Sequence, residues 1–381
     1  MESKIMMILG GYGSAGICIS RLLLQETRLK LILAGQNNAQ ATNAARKLNT
    51  EFSGNRVKGM QVDATNAEEL KEAFKNCDTV LVCIPITASK IGGGIVQAAF
   101  DAGINYIDIN LDNDKQQLLQ KLAERIKSSE RYFLTEAGLM PGLPSTMAFL
   151  AAERFDSFKT LQFGLLERET SGSYGSTIDL MNYAADPAYI YQQGAWRKAP
   201  ITASRQIDFG PGLGKQSCYP MDLYELRKLP GELGLEEVGF YAAGMNPVTD
   251  LVLLIWVVLG LYKFDWGLRL GAKLGLWTVK KFTKPPYTTT LLMEAIGKVK
   301  KHNEKMRITI SHENGFVATA IAAVAGVLQL LDESINEPGV TIMGHGVNPD
   351  RYLEDIQRLG MNVLVQQTPV IEKQIFYENI I

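Results

Sequence analysis

The chain opens on five consecutive apolar residues, Ile5-Met6-Met7-Ile8-Leu9, and the run stops at Gly10-Gly11-Tyr12-Gly13-Ser14-Ala15-Gly16. A short apolar run ended by breakers reads as a strand buried on both faces. Ile17 to Leu24 then carry apolar side chains suited to a helix. The order is buried strand, tight turn, helix, and it repeats. Leu29 to Ala34 predicts a second strand and Ala39 to Leu48 a helix. Val57 to Val62 predicts a third strand ending at Asp63, followed by a helix over Ala67 to Phe74 with Asn66 as its N-cap. Thr79 to Ile84 is a fourth strand stopped by Pro85, and Val96 to Ala102 a helix closed at Gly103. Asn105 to Ile109 is a fifth strand, Lys115 to Lys127 a helix, and Tyr132 to Thr135 a sixth strand. Short apolar strands alternating with amphipathic helices predict an α/β, doubly wound parallel sheet. Six strands in about 135 residues make a full Rossmann dinucleotide-binding complement.

The pattern changes at the breaker-rich Leu139-Met140-Pro141-Gly142-Leu143-Pro144. Beyond it, Leu161 to Arg168 and Met306 to Glu313 read as longer, partly alternating strands of a second, α+β domain. Residues 171–176 form a small polar loop before a helix beginning near Thr177, and residues 205–247 read as irregular. Phe316 to Leu331 predicts a buried Ala- and Val-rich helix, Arg351 to Leu359 a short helix, and Asn362 to Gln366 a last strand. The domains are thus expected at 1–137 and 138–314, with a terminal segment at 315–381.

Composition narrows the function classes. The chain has 381 residues, enough for two domains with sizeable cores. A net charge of −1 gives no electrostatic case for nucleic acid as a partner. Cys18, Cys77, Cys83 and Cys218 show no metal or redox spacing and read as reduced thiols. With no basic stretch and no signal peptide before the first strand, a cytoplasmic protein is expected.

The glycines carry the first chemistry. Gly11, Gly13 and Gly16 supply G-x-G-x-x-G between strand and helix. The first glycine permits the turn, the second lets backbone approach a pyrophosphate, and the third lets helix pack on strand. The backbone of Tyr12, Ser14 and Ala15 lies in the same phosphate loop, at the positive end of the helix dipole. An acid at the end of the second strand would hold the ribose hydroxyls of NAD, and an Arg would suit the 2′-phosphate of NADP. Here Gln36 and Asn37 stand there, able to hydrogen-bond either cofactor, with the lean toward NADP. Asp63 and Ala64 follow the third strand, where an adenine edge rests. Ile84 and Pro85 follow the fourth, on the nicotinamide path, because ligands bind at the carboxyl ends of such strands.

Several stretches together resemble the saccharopine dehydrogenase-like (saccharopine reductase) family of NAD(P)-binding oxidoreductases. They are Gly10 to Gly16, Leu33-Ala34-Gly35 before Gln36, where many members have Arg, Val62 to Thr65, Gly103 to Asp108, and Gly138 to Pro144. His312-Glu313-Asn314-Gly315 and Pro338-Gly339-Val340 complete the set. The resemblance implies an NAD(P)-dependent dehydrogenase or reductase whose C-terminal segment returns to pack on the nucleotide domain. Relatives reduce or oxidise a C–N bond between an amino acid and a carbonyl partner. An amino-acid-derived imine or secondary amine is therefore one expected small-molecule substrate, and a lipid-like enoyl or carbonyl compound another. The alternative is a nucleotide-binding protein without catalysis, acting as a membrane-associated or scaffolding partner.

Hydride transfer needs alignment, a proton donor and a substrate clamp. Asp108 and Asn110 follow the fifth strand at the cleft edge. There Asp108 either binds an amine or relays a proton, or simply caps the loop. Glu136 follows the sixth strand in the same way, and Tyr106 reads as packing. Backbone N–H groups of Gly175, Ser176 and Thr177 could take a substrate carboxylate, with N-capping by Ser176 as the competing role. His302 reads as solvated, His312 as a core residue and His345 as part of a flexible loop, and no histidine pair has metal spacing. Residues 251–284 combine an apolar run from Leu251 to Tyr262, too short to span a bilayer, with Trp256, Trp266, Trp277 and six cations against one acid. That segment is either core, a homodimer interface, or a peripheral membrane contact.

Overall fold

The computed structural model of the chain describes residues 4–85, 91–170, 172–185, 187–200 and 203–370. It begins β1 (Ile5–Leu9), α1 (Ser14–Glu26), β2 (Lys30–Gly35), α2 (Asn38–Glu51), β3 (Val57–Gln61), α3 (Ala67–Phe74) and β4 (Thr79–Val82). It continues α4 (Gly92–Ala102), β5 (Asn105–Asp108), α5 (Asn113–Ser128), β6 (Tyr132–Thr135), α6 (Leu143–Arg154), β7 (Ser157–Arg168) and α7 (Tyr174–Ala185). Then come β8 (Tyr189–Gln192), β9 (Ala195–Lys198), β10 (Arg205–Asp208), β11 (Lys215–Pro220), α8 (Leu229–Leu233), β12 (Glu237–Ala243), α9 (Pro247–Val258) and α10 (Asp265–Phe282). The chain finishes with β13 (Thr288–Val299), β14 (His302–His312), α11 (Gly315–Leu331), β15 (Gly339–Ile342), α12 (Met343–Gly346), α13 (Pro349–Arg358) and β16 (Asn362–Pro369).

Two compact units form. The first comprises residues 1–143, 173–182 and 316–360. Its parallel sheet runs β15-β6-β5-β4-β1-β2-β3. The order reverses beside β1, so the crevice of a doubly wound sheet opens past the carboxyl ends of β1 and β4. β1 and β4 are buried along almost their whole length, as strands covered on both faces must be. On one face Met7, Leu9, Val80, Val82, Tyr106 and Phe133 share a core with α3, α4 and α5. Each such side chain contributes about 1.5–3 kcal/mol relative to exposure. Tyr106 stacks on Phe133 with ring centroids 5.4 Å apart. The seventh strand, β15, extends the six read from the first 135 residues and pairs in parallel with β6, bringing a late segment back to this sheet. α11 is anchored there: the Tyr352 hydroxyl donates to Ala322 O at 2.8 Å, and a Cβ on Gly326 would lie 2.7 Å from Met343 Sδ.

The second unit comprises the described residues of 144–172, 183–315 and 361–370. Its sheet runs β10-β11-β12-β7-β13-β14-β16, with β8 and β9 attached at β12. All its pairs are antiparallel except β12 with β7. Leu161, Phe163 and Leu165 of β7 stand opposite Ala295, Met293 and Leu291 of β13, which face Met306, Ile308 and Ile310 of β14. All nine are buried, giving one continuous apolar face.

Several sequence expectations change. Residues 205–247 hold β10, β11 and β12 rather than irregular chain. Their glycines belong to the β10–β11 turn, where Gly210, Gly212 and Gly214 take φ +91°, +82° and +65° and Phe209 N–H donates to Gly214 O at 3.0 Å. β16 pairs with β14, so residues 362–369 extend the second sheet and not the nucleotide sheet. The helix expected near Thr177 starts at Tyr174. His345 lies in the one-turn α12 and not in a flexible loop. The large apolar residues of α9 and α10 are mostly outside the core: Leu251, Val258, Trp266 and Trp277 are 57%, 67%, 59% and 52% exposed, while the small face of α10, with Ala272 and Val279, is buried.

Candidate functional site

The loop from Gly10 to Gly16 is built so that three glycines cannot be replaced by larger residues without movement. A Cβ on Gly16 would stand 2.3 Å from Gly10 O, and one on Gly11 would stand 2.9 Å from both Ile8 O and a Leu33 methyl. Gly10 has φ +91°, and its Cβ would lie 2.6 Å from Ile84 Cγ2. The loop is therefore pressed onto the ends of β2 and β4. Gly13 N–H donates to Gly10 O at 2.9 Å, and Gly13 is the N-cap of α1, with no side-chain cap bond. The N–H groups of Ser14, Ala15 and Gly16 precede the ladder that Ile17 N–H opens on Gly13 O at 3.0 Å. Donors at this position and the helix dipole suit an anion.

On one side of the loop, Tyr12 reaches the end of β2. A Cβ on Gly35 would lie 2.6 Å from Tyr12 Cε1 and from its hydroxyl oxygen, so the ring needs a glycine there. The Tyr12 hydroxyl accepts Asn37 N–H at 3.1 Å. Gln36 donates from Nε2 to Asp63 Oδ1 at 3.2 Å, which joins the ends of β2 and β3. Thr65, which sequence reasoning passed over, donates to that oxygen from its N–H and hydroxyl at 2.9 and 2.8 Å. Those Thr65 bonds first, and the Gln36 bond after them, hold the Asp63 carboxyl below its usual range. The Asn37 side chain, expected at a ribose, instead caps α2 by accepting Gln40 N–H at 3.0 Å. Ala64 is buried and offers no side chain to the edge.

On the other side, Asn110 ties the end of β5 to the end of β4, donating from Nδ2 to Ile84 O at 2.8 Å. Its Oδ1 is buried and accepts no hydrogen bond from any described residue. Pro85 meets the start of α7: a Cβ on Gly175 would lie 2.7 Å from Pro85 Cγ. The structure thus gathers Gly10 to Gly16, Ile84, Pro85, Asn110 and Gly175 into one continuous set. At α7 the cap is Ser173 and not Ser176. Ser176 N–H donates to Ser173 Oγ at 3.1 Å while Ser173 N–H donates to Ser176 Oγ at 3.0 Å, a reciprocal capping box. Thr177 N–H donates to Ser173 O at 3.0 Å. Two of the three N–H groups expected to receive a carboxylate are therefore engaged within the helix.

Asp108 does not face the cleft as an acid or base. It is wholly buried, with Oδ1 2.6 Å from Lys115 Nζ and accepting Asn110 N–H at 2.9 Å, while Thr135 Oγ1 donates to Oδ2 at 2.9 Å. Lys115 is also fully buried and donates to Asn110 O at 2.7 Å. This ion pair fixes the loop that carries Asn110; it is a scaffold below the site. Nothing in the spacing of Lys115 along α5 separates it from a solvated lysine, so sequence reasoning missed it. Glu136 accepts Gln116 Nε2 at 2.7 Å, is fully buried, and has φ +57°. Burial pushes the Cys83 thiol, at the end of β4, up to about 12, so no thiolate stands by this cleft.

In the second unit the apolar face of the sheet ends in a polar row. Glu167 of β7 is opposite Thr289 of β13, which is opposite His312 of β14. Burial first, and the Glu169 charge second, raise the Glu167 carboxyl to about 7. His312 Nδ1 bonds Asn314 N–H at 2.9 Å.

A dinucleotide fits the first unit on three observations. Gly10, Gly11 and Gly16 leave no room for a Cβ, the first turn of α1 carries no side-chain cap, and Asn110 Oδ1 is a buried acceptor without a partner among the described residues.

Residues 6–137 match the family model described as the saccharopine dehydrogenase NADP binding domain. Among solved structures, the chain is similar to apo saccharopine dehydrogenase (L-Glu forming) from Saccharomyces cerevisiae. That likeness has 14% identity and a TM-score of 0.70, and it covers 96% of this chain and 100% of that one. It establishes a shared fold. Weaker likenesses are to GenD2 from gentamicin A biosynthesis in complex with NAD (10% identity, 97% of each chain, TM-score 0.48) and to an oxidoreductase from Sinorhizobium meliloti. The latter has 10% identity over 94% of this chain and 96% of that one, with a TM-score of 0.44. Comparison with curated proteins finds no match.

Proposed function

We propose that the chain, whose residues 6–137 match the saccharopine dehydrogenase NADP binding domain, is an NAD(P)-dependent oxidoreductase that transfers hydride between nicotinamide and the carbon of an amino-acid-derived imine. In the reductive direction the C=N bond takes hydride at carbon and a proton at nitrogen, giving a secondary amine and oxidised coenzyme. The observation that carries the reading is the glycine loop, closed at one end by Tyr12 on Gly35 and at the other by Ile84. The whole-length likeness to a saccharopine dehydrogenase supports the C–N substrate class over a lipid-like enoyl or carbonyl compound.

The residues divide the work as follows. N–H groups of Ser14, Ala15 and Gly16 would hold the pyrophosphate. Tyr12 and Gln36 would bound the adenosine ribose, and Asp63 would meet the adenine edge. NADP is preferred, because Gln36 carries no charge to repel a 2′-phosphate. Bound nicotinamide supplies the hydride. Ile84 and Pro85 flank its path, and Asn110, held by the buried Asp108–Lys115 pair, offers Oδ1 to a carboxamide or substrate N–H. Gly175 lies against Pro85 at the same end.

Fluorescence titration with NADPH and NADH, followed by coenzyme oxidation against panels of imines formed from 2-oxo acids and amino acids, tests this. Turnover confined to the imine panel is expected. Turnover of enoyl or carbonyl compounds alone would overturn the substrate class. Binding without turnover of any panel would favour a non-catalytic nucleotide-binding protein.

A further inference from the structure

The helical hairpin α9–α10 has its small residues inside and its large apolar residues outside. On α10, Gly267, Gly271, Ala272, Gly275, Thr278 and Val279 are buried. This narrow face lets α9 approach closely: Thr249 Oγ1 donates to Thr278 Oγ1 at 2.9 Å, and Trp256 Nε1 donates to Gly267 O at 2.8 Å. A Cβ on Gly267 would lie 2.0 Å from Leu261 O. Burying the small face leaves the other faces out. On α9, Val248, Leu251, Leu254, Ile255, Val258 and Leu259 at its end are exposed at helical spacing. On α10, Trp266, Leu270 and Trp277 follow one another on an exposed stripe, with Phe264 stacked on Trp266 at 6.1 Å. An apolar patch of this kind on a protein surface marks a contact site.

The charges beside the patch say what covers it. Lys263, Arg269, Lys273, Lys280, Lys281 and Lys284 are all exposed, against one exposed acid, Asp265, and the half-buried Asp250. Lys281 Nζ lies 4.9 Å from the Trp277 ring centroid, so cation and aromatic surface are presented together. A second copy pairing through this face about a two-fold axis would set these cations against themselves. An anionic lipid surface satisfies both features: apolar side chains enter the acyl boundary, and lysines and arginine meet headgroup phosphate and carboxylate. Small residues between helices with large apolar ones turned outward is also how helices pack in lipid. α9 has 12 residues, about 18 Å at 1.5 Å per residue, and cannot cross a hydrocarbon core of about 30 Å. No helix among the described residues is long and apolar enough to cross a membrane.

We propose that the α9–α10 hairpin is a membrane-docking element that lies in the interface of an anionic bilayer, with Leu251, Leu254, Val258 and Trp277 inserted and Lys273, Lys280 and Lys281 on the headgroups. This does not depend on the redox reading, and its test uses no coenzyme.

The full chain is floated with phosphatidylcholine vesicles and with vesicles containing about 30% phosphatidylserine, at low and high salt. Two variants run alongside, Leu251→Ser/Leu254→Ser/Val258→Ser and Lys273→Glu/Lys280→Glu/Lys281→Glu. At least tenfold stronger partition onto the anionic vesicles is expected at low salt, reduced by salt and by at least tenfold in each variant. All three proteins should keep one mass by light scattering. The wild type alone gives a second readout: tryptophan emission shifts to the blue and is quenched by lipids labelled in the acyl chain. Failure of the wild type to float or shift overturns the proposal. So does equal flotation of all three proteins, or a wild-type oligomer that both variants dissociate, which would make the patch an interface between copies.

Discussion

The ammonium of Lys115 lies 2.6 Å from Oδ1 of Asp108, and neither side chain reaches solvent. An ion pair in that position is expensive to break, because the remaining partner keeps a charge that water cannot reach. Lys115→Met is expected to destabilise the chain by about 3–5 kcal/mol in denaturant unfolding. Lys115→Met/Asp108→Leu should recover much of the loss. If instead Asp108→Asn left stability unchanged and abolished turnover, Asp108 would be a catalytic group and not a scaffold.

Gly35 and Gln36 lie at the proposed coenzyme end. Gly35→Ala forces a methyl into the Tyr12 ring, which must then leave its bond to Asn37 N–H. Coenzyme affinity is expected to fall about tenfold, one or two hydrogen bonds' worth, with little change in fold. Gln36→Arg should favour NADPH over NADH by about 10–100-fold through a charge-assisted pair with the 2′-phosphate. Gln36→Asp should move the preference the other way. Titrating both coenzymes into each variant measures it.

Much of this end of the molecule was legible from residue pattern. Short, mostly apolar runs at 5–9 and 79–84, bounded by breakers, read as strands covered on both faces, and Gly11, Gly13 and Gly16 have spacing with a steric meaning. What stayed hidden depends on partners distant in sequence. Lys115 looks like any helix lysine until Asp108 and Asn110 O are found beside it. Strands β10 and β11 have only 4 and 6 residues, and their turn glycines drown their weak alternation. Asn37 reads as a ligand group, yet local geometry spends it on capping α2. In α9 the apolar run itself is plain from residue pattern. Which face is buried follows from the glycines of α10, and no periodicity within α9 reports that.

Glu167 makes stability depend on pH in the second unit. Its carboxyl is raised from 4.5 to about 7, so the folded chain holds that proton more tightly than the unfolded one. The favourable contribution is complete below about pH 4.5 and is lost as pH rises through about 7. Glu167→Gln cannot ionise. Its stability relative to wild type should therefore increase by about 1–3 kcal/mol between pH 5 and pH 8, read from unfolding curves at each pH. A constant difference across that window would contradict the half-buried, charge-crowded setting of Glu167 beside Glu169.

Coenzyme binding at the glycine loop is tested most directly by calorimetric titration of NADPH and NADH into wild type and Gly13→Asp. Gly13 has an ordinary φ of −74°, so the substitution places a carboxylate at the phosphate position without requiring a special backbone conformation. Saturable binding of at least one coenzyme is predicted for wild type, weakened about 100-fold or more in Gly13→Asp with an unchanged circular dichroism spectrum. No heat from either coenzyme with wild type, or equal affinity in Gly13→Asp, would contradict it.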